Sequence, residues 1–302
     1  MPRPYASSAA AFCRSKKLLP AALCATLLLI ILLSAGCTTL TPDTPSYQVD
    51  SDGRLQIHTV APSPSETIII ENTSYTLSRI MFHNVDEDIY ALLAVPENPK
   101  AAILLAPGAG VKKEAHESRA VWYAEHGYAF MVLDIRGNGG ETAGRPLDFN
   151  DDYNRYARGA WPEYYKIVSD LSAARILLEE RLHVPVYAMG SSNGGRYAAI
   201  AASIDDKFAG YIGVSTSGFG LVGNTYSGDA RKFLLSIDPD AAIASISPRP
   251  VYLFHAPADT IIPIADGLEL FSHARDPKTF TNFTGSHGLN GEVDGDILAL
   301  LG

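Results

Sequence analysis

Six apolar residues in a row, Ala101-Ala102-Ile103-Leu104-Leu105-Ala106, stand between Lys100 and the turn formers Pro107-Gly108. The segment is too brief for an ordinary helix and lacks the alternation of a half-exposed strand. It reads as a strand buried on both faces, and such strands belong to parallel sheets sandwiched between helices. This hexapeptide therefore calls for a layered α/β domain, in which further strands pair beside it and helices cover both faces.

The neighbouring sequence supplies them. Residues 114–126 are expected as a helix closed by Gly127, and residues 128–135 as a strand. A long helix opens at Trp161-Pro162, with Tyr164, Ile167, Val168, Leu171, Ala174 and Leu178 recurring along one face. Strands are then expected at 185–189, 210–214, 250–254 and 279–283, alternating with helices at 194–203, 264–273 and 292–301. Upstream, 55–60, 67–70, 75–82 and 89–95 read as strands without intervening helices, hence an antiparallel N-terminal edge. Residues 49–302 thus form one domain: a mostly parallel twisted sheet with helices on both faces. Residues 137–161 are expected as a long loop that could wall a pocket. Within it, residues 148–154 alternate oxygen ligands like a calcium loop, but Tyr153 stands where that loop needs glycine, so a solvated loop is the reading preferred.

Charge and cysteine usage narrow the chemistry. The net charge is -9, and the first 36 residues hold Arg3, Arg14, Lys16 and Lys17 with no acid, so the remainder is more acidic still. Such a surface repels phosphate backbones, which excludes nucleic acid as a partner. The three cysteines are Cys13, Cys24 and Cys37, leaving the domain without a disulfide framework, a cysteine zinc site or a cysteine nucleophile. The basic residues up to Lys17 precede an apolar run over 18–35, which makes residues 1–36 a secretory signal segment. Leu33-Ser34-Ala35-Gly36-Cys37 resembles the lipobox of prokaryotic lipoproteins, implying lipidation at Cys37 and a Thr/Pro/Ser-rich tether over residues 37–48. An uncleaved membrane helix and simple secretion with cleavage remain alternatives. All three export the domain, the first two leaving it anchored to the cell-envelope membrane.

The chemistry concentrates after the strand at 185–189. There Gly190-Ser191-Ser192-Asn193-Gly194 gives G-x-S-x-G between a strand and an alanine-rich helix. In that context the central serine tips a sharp turn, its oxygen raised above the sheet edge and the following helix N-terminus aimed at developing negative charge. Register assigns Ser192 to the tip. A serine hydroxyl needs a base, and the later histidines are His255, His273 and His287. His287 lies in the glycine-flanked loop after the last strand, where an imidazole can reach over the sheet. His255 ends a buried strand and reads as structural, while His273 falls near a helix end. Asp259, in the loop after the preceding strand, is the expected orienting acid; its rival Asp266 starts a helix, where capping explains it.

Two further segments complete a family resemblance. Asp134-Ile135-Arg136-Gly137-Asn138-Gly139 is similar to the D-x-R-G-x-G turn of the α/β-hydrolase superfamily, and residues 255–263 are similar to its H-G-x-x-D-x-x-V-P segment, with Ala256 in place of glycine. The resemblance covers nearly all of residues 50–302 and is nearest to dienelactone-hydrolase-like and prolyl-oligopeptidase-like catalytic domains. It implies the α/β-hydrolase fold with a small cap inserted within residues 217–247, a triad of Ser192, Asp259 and His287, and an oxyanion hole of backbone amides. In Pro107-Gly108-Ala109-Gly110 the glycines permit an N–H to point inward, so Ala109 and Asn193 are expected as the two donors. The expected function is hydrolysis of a small-molecule carboxylic ester through an acyl-enzyme, without cofactor or metal. A peptidase or amidase with the same triad, and a non-catalytic binding protein on the same scaffold, are the alternatives.

Overall fold

The computed structural model describes residues 44–302, which form one compact unit. The signal segment, Cys37 and most of the expected tether lie outside the described residues. Among the described residues no helix is long and apolar enough to cross a membrane.

Strand β6 is the hexapeptide's realisation, Ala102–Ala106. It lies between β7 (Ala129–Leu133) and β8 (Val186–Ser191), parallel to both. Beyond β8 come β9 (Gly210–Val214), β10 (Val251–His255) and β11 (Lys278–Asn282), all parallel. On the other side of β7 the direction reverses: β5 (Glu87–Pro96), β4 (Tyr75–Asn84) and β3 (Ser65–Glu71) pair antiparallel. The nine strands run in the order β11-β10-β9-β8-β6-β7-β5-β4-β3, so the mostly parallel sheet and its antiparallel edge are both present.

The two faces separate the side chains with period two. Ala102, Leu104 and Ala106 of β6 enter one core, with Ala129, Met131 and Leu133 of β7; Ile103 and Leu105 enter the other, with Phe130 and Val132. The first core is closed by α3 (Glu163–Leu182), α4 (Asn193–Ile204) and α7 (Ile264–His273). The second is closed by α1 (Glu117–Glu125) and α8 (Gly291–Leu301), through Tyr123, Val293 and Ile297.

Three sequence expectations change. The strand at 55–58 does not join the main sheet: β2 (Leu55–His58) pairs with β1 (Ser46–Val49) in a separate two-stranded ribbon, and β1 starts within the stretch expected as tether. Tyr47 explains the placement, since its ring packs edge-on against Trp161 and Tyr165. The expected loop at 148–154 is helical instead, within α2 (Phe149–Ala157). Its oxygens cap helices: Asp148 accepts from the N–H groups of Asn150 and Asp151, and Asp152 accepts from those of Glu163 and Tyr164 at the start of α3. Asp266 sits in the first turn of α7 but caps nothing with its side chain. The small cap is a chain of short helices, including α5 (Gly228–Ser236) and α6 (Pro239–Ala242). Asp238 ties it together by accepting from the N–H groups of Phe219, Leu221 and Asp240.

Candidate active site

Ser192 stands between β8 and α4 with φ 56° and ψ −125°, a left-handed conformation that a residue with a side chain adopts only under constraint. The constraints are visible around it. Its N–H donates to Val214 O, and its carbonyl accepts from Thr216 Oγ1. The flanking glycines are required by close approach: a Cβ on Gly190 would lie 2.3 Å from Gly194 O, and one on Gly194 would lie 2.0 Å from Ala106 O. A Cβ on Gly195 would meet that of Thr216 at 2.6 Å. Ser191, the bystander, is buried at the end of β8.

His287 and Asp259 are brought together from loops after β11 and β10. His287 Nδ1 lies 2.8 Å from Asp259 Oδ2 and 3.1 Å from Oδ1. A carboxylate only accepts, so Nδ1 carries the proton and Nε2 is the basic nitrogen. Burial would raise the Asp259 carboxyl, but the N–H of Ile262, the His287 imidazole and the N–H of Ile261 outweigh it and hold its pKa below the ordinary 3.8. His255 is fixed beneath this loop, its Nε2–H donating to Ile262 O at 2.8 Å; it braces the acid's loop, as its buried position suggests. His273 ends α7.

The histidine loop is also tied to the elbow. Gly288 N–H donates to Ser215 Oγ at 3.0 Å, and Ser215 follows Val214, the acceptor for Ser192 N–H. Among the described residues no hydrogen bond joins Ser192 Oγ to His287, whose ring is engaged through Nδ1. Contacts of this kind are often long without substrate and shorten in the complex.

The expected oxyanion loop faces the serine from the end of β6. A Cβ on Gly108 would lie 3.3 Å from that of Ser192. Residues 108–111 close a turn through Val111 N–H to Gly108 O, with Gly110 at φ +71°. Among the described residues no protein acceptor takes the N–H of Ala109 or of Asn193.

Sequence reasoning overlooked the supports behind this turn. Lys113, whose side chain is 1% exposed, donates to Asp134 Oδ2 at 2.7 Å, Glu141 Oε2 at 2.7 Å and Glu114 Oε1 at 2.6 Å. Burial would lower its pKa, but these three carboxylates more than offset that and hold the ammonium protonated. Glu114, Asp134 and Glu141 cluster as metal ligands might, yet Lys113 supplies the cation there. Arg136, also buried, donates to Asp170, Asp86 and Asn84 O. The D-x-R-G-x-G segment was the available signal: its Asp and Arg are the buried partners.

Residues 97–221 match the serine aminopeptidase, S33 family. The chain is 29% identical over 195 residues to the uncharacterized protein YfhR of Salmonella typhi, a match covering 61% of this chain and 62% of that one. Among solved structures, it is similar to the acetyl xylan esterase from Paenibacillus sp. R4 (TM-score 0.66, 15% identity, 80% of this chain and 89% of that one). It is also similar to the glucuronoyl esterase from Solibacter usitatus (TM-score 0.58, 14% identity, 85% and 88%). These likenesses show the fold: the chain has the α/β-hydrolase fold.

Proposed function

We propose that the chain is a serine hydrolase that cleaves small carboxylic esters through an acyl-enzyme on Ser192. The observation that carries this reading is the His287–Asp259 pair, which leaves Nε2 basic at the same sheet rim as the serine of the strained elbow. In the reaction, His287 Nε2 takes the Ser192 hydroxyl proton as Oγ attacks the ester carbonyl. Negative charge gathers on the carbonyl oxygen, and the N–H groups of Ala109 and Asn193 stabilise it. The imidazolium, held by Asp259, then protonates the departing alkoxide. Water enters, gives its proton to the same nitrogen and attacks the acyl carbon, and the imidazolium returns that proton to Ser192 Oγ as the carbon–Oγ bond breaks and the acid leaves. No metal or cofactor takes part in these steps.

The esterase neighbours favour an ester over an amide, whereas the serine aminopeptidase match keeps peptide cleavage as the second reading. Turnover of p-nitrophenyl acetate, butyrate and octanoate against peptide anilides separates them. A fluorophosphonate probe tests the mechanism: labelling at Ser192 is expected, abolished in Ser192→Ala and weakened in His287→Ala. A folded protein that takes no label would instead be a binding protein on this scaffold. The basic and apolar N-terminal sequence supports an exported enzyme tethered through Cys37. Incorporation of labelled palmitate in a bacterial host, lost in Cys37→Ser, is the expected result.

A further inference from the structure

The side chain of Asn138 grips the turn at residues 108–111 from behind. Its Oδ1 accepts from Gly110 N–H at 3.1 Å, and its Nδ2 donates to Gly108 O at 2.9 Å and to Val111 O at 3.4 Å. With Val111 N–H already bonded to Gly108 O, the N–H groups of Gly110 and Val111 and the carbonyls of Gly108 and Val111 are engaged, while among the described residues no protein acceptor takes Ala109 N–H. Asn138 is itself held in place. Its N–H donates to Ile135 O, and Arg136, two residues earlier, is buried among Asp170, Asp86 and Asn84 O. A second tie joins the same two segments, since Asp134 Oδ1 accepts from Lys113 N–H at 2.9 Å while its Oδ2 accepts from Lys113 Nζ.

We propose that Asn138 is the positioning residue of the oxyanion hole, setting the direction of Ala109 N–H toward the tetrahedral intermediate on Ser192. The assignment rests on the serine-hydrolase reading above. An amide side chain suits the task because it offers an acceptor and a donor group in one plane, matching the N–H and C=O groups of the turn. The turn needs such a brace. A glycine stands on each side of Ala109, and nothing within 4 Å would block a Cβ at Gly110, so local sterics alone leave the peptide free to rotate. Asn138 touches no reacting atom and acts through the turn. Its loss weakens stabilisation of the charged intermediate rather than binding of the neutral ester, so kcat falls while KM stays.

The test uses Asn138→Ala, which removes all three bonds, and Asn138→Asp, which keeps the shape and the acceptor but loses both donations. Rates on p-nitrophenyl acetate, thermal melting and the rate of fluorophosphonate labelling are measured for each and for the parent. The expected result is a roughly 10- to 100-fold lower kcat with KM within about twofold and slower labelling, the order associated with a misplaced oxyanion donor. Should Asn138→Ala melt early, Asn138→Asp carries the comparison. Parental kcat in a folded variant, or a loss that only follows the folded fraction, overturns the proposal. If the parent labels at Ser192 and both variants behave as it does, the positioning role alone fails; if the parent takes no label, the hydrolase reading fails and this role with it.

Discussion

The two loops that flank Ser192 are held by different physics. On the turn side, residues 107–113 are fastened to residues 134–141 by the Asn138 amide and the buried Lys113–Asp134 pair, with Arg136 fully enclosed behind them. On the histidine side, residues 284–286 are exposed, and Gly285 and Gly288 take positive φ of 140° and 99°. That loop is held by a few bonds: His287 to Asp259, Gly288 N–H to Ser215, Thr284 N–H to Glu292, and Asn290 to Thr284 O. The difference matches the work proposed for each side. Donors to a developing oxyanion must be set beforehand, because turning them during the reaction forfeits their stabilisation. A base that takes a proton from one oxygen and gives it to another gains from a loop that can shift slightly.

The comparison breaks first at the base. Ser192→Ala and His287→Ala should each lower kcat on p-nitrophenyl acetate by roughly 10⁶, and the double variant should be scarcely worse, because the groups act as a unit. Parental turnover in His287→Ala would strip the histidine loop of its proposed role. Next is Asp259→Asn, expected to lower kcat by about 10⁴ through the wrong imidazole tautomer. It also carries a pH signature. The Asp259 pKa is depressed on folding, so its contribution to stability is complete above the ordinary 3.8 and is lost as pH falls through the lowered value. The gap in urea midpoint between parent and Asp259→Asn should therefore close in acid; a gap constant with pH would deny the native pair its charge.

On the turn side the larger effect is on stability. Lys113→Met leaves Asp134 buried without its ammonium and should destabilise the domain by about 3–5 kcal/mol in urea unfolding. The smallest effect belongs to Ser215→Ala, which removes the acceptor for Gly288 N–H. It should cost about 1 kcal/mol of stability and roughly tenfold in kcat. A Ser215→Ala loss as large as that of Lys113→Met would show the histidine loop to be as firmly built as the turn.

The pattern of burial was legible wherever it was periodic. The run at 101–106 became β6, buried on both faces, and the face of Tyr164, Ile167, Val168 and Leu171 became the inner side of α3. The G-x-S-x-G glycines were readable for the same reason, since a missing side chain signals a close approach that the coordinates then reveal at Gly194. Polar residues were harder to interpret. Asp148 and Asp152 looked like metal ligands or a solvated loop because an oxygen's partner is not written beside it; the partners are backbone N–H groups, and Asp152 reaches those of Glu163 and Tyr164, eleven and twelve residues on.

The amino-acid order alone determined the layered sheet, the direction of its strands and the candidate residues at their ends, because hydrophobic period and turn chemistry act over a few neighbours. Only the tertiary structure decided which polar groups meet. Asn138 grips a turn 28 residues earlier, Lys113 finds Asp134 21 residues on, and His287 reaches Asp259 28 residues back. Hydrogen bonds and ion pairs are short-ranged and directional, so they are settled when the strands fall into register and their connecting loops converge on one rim.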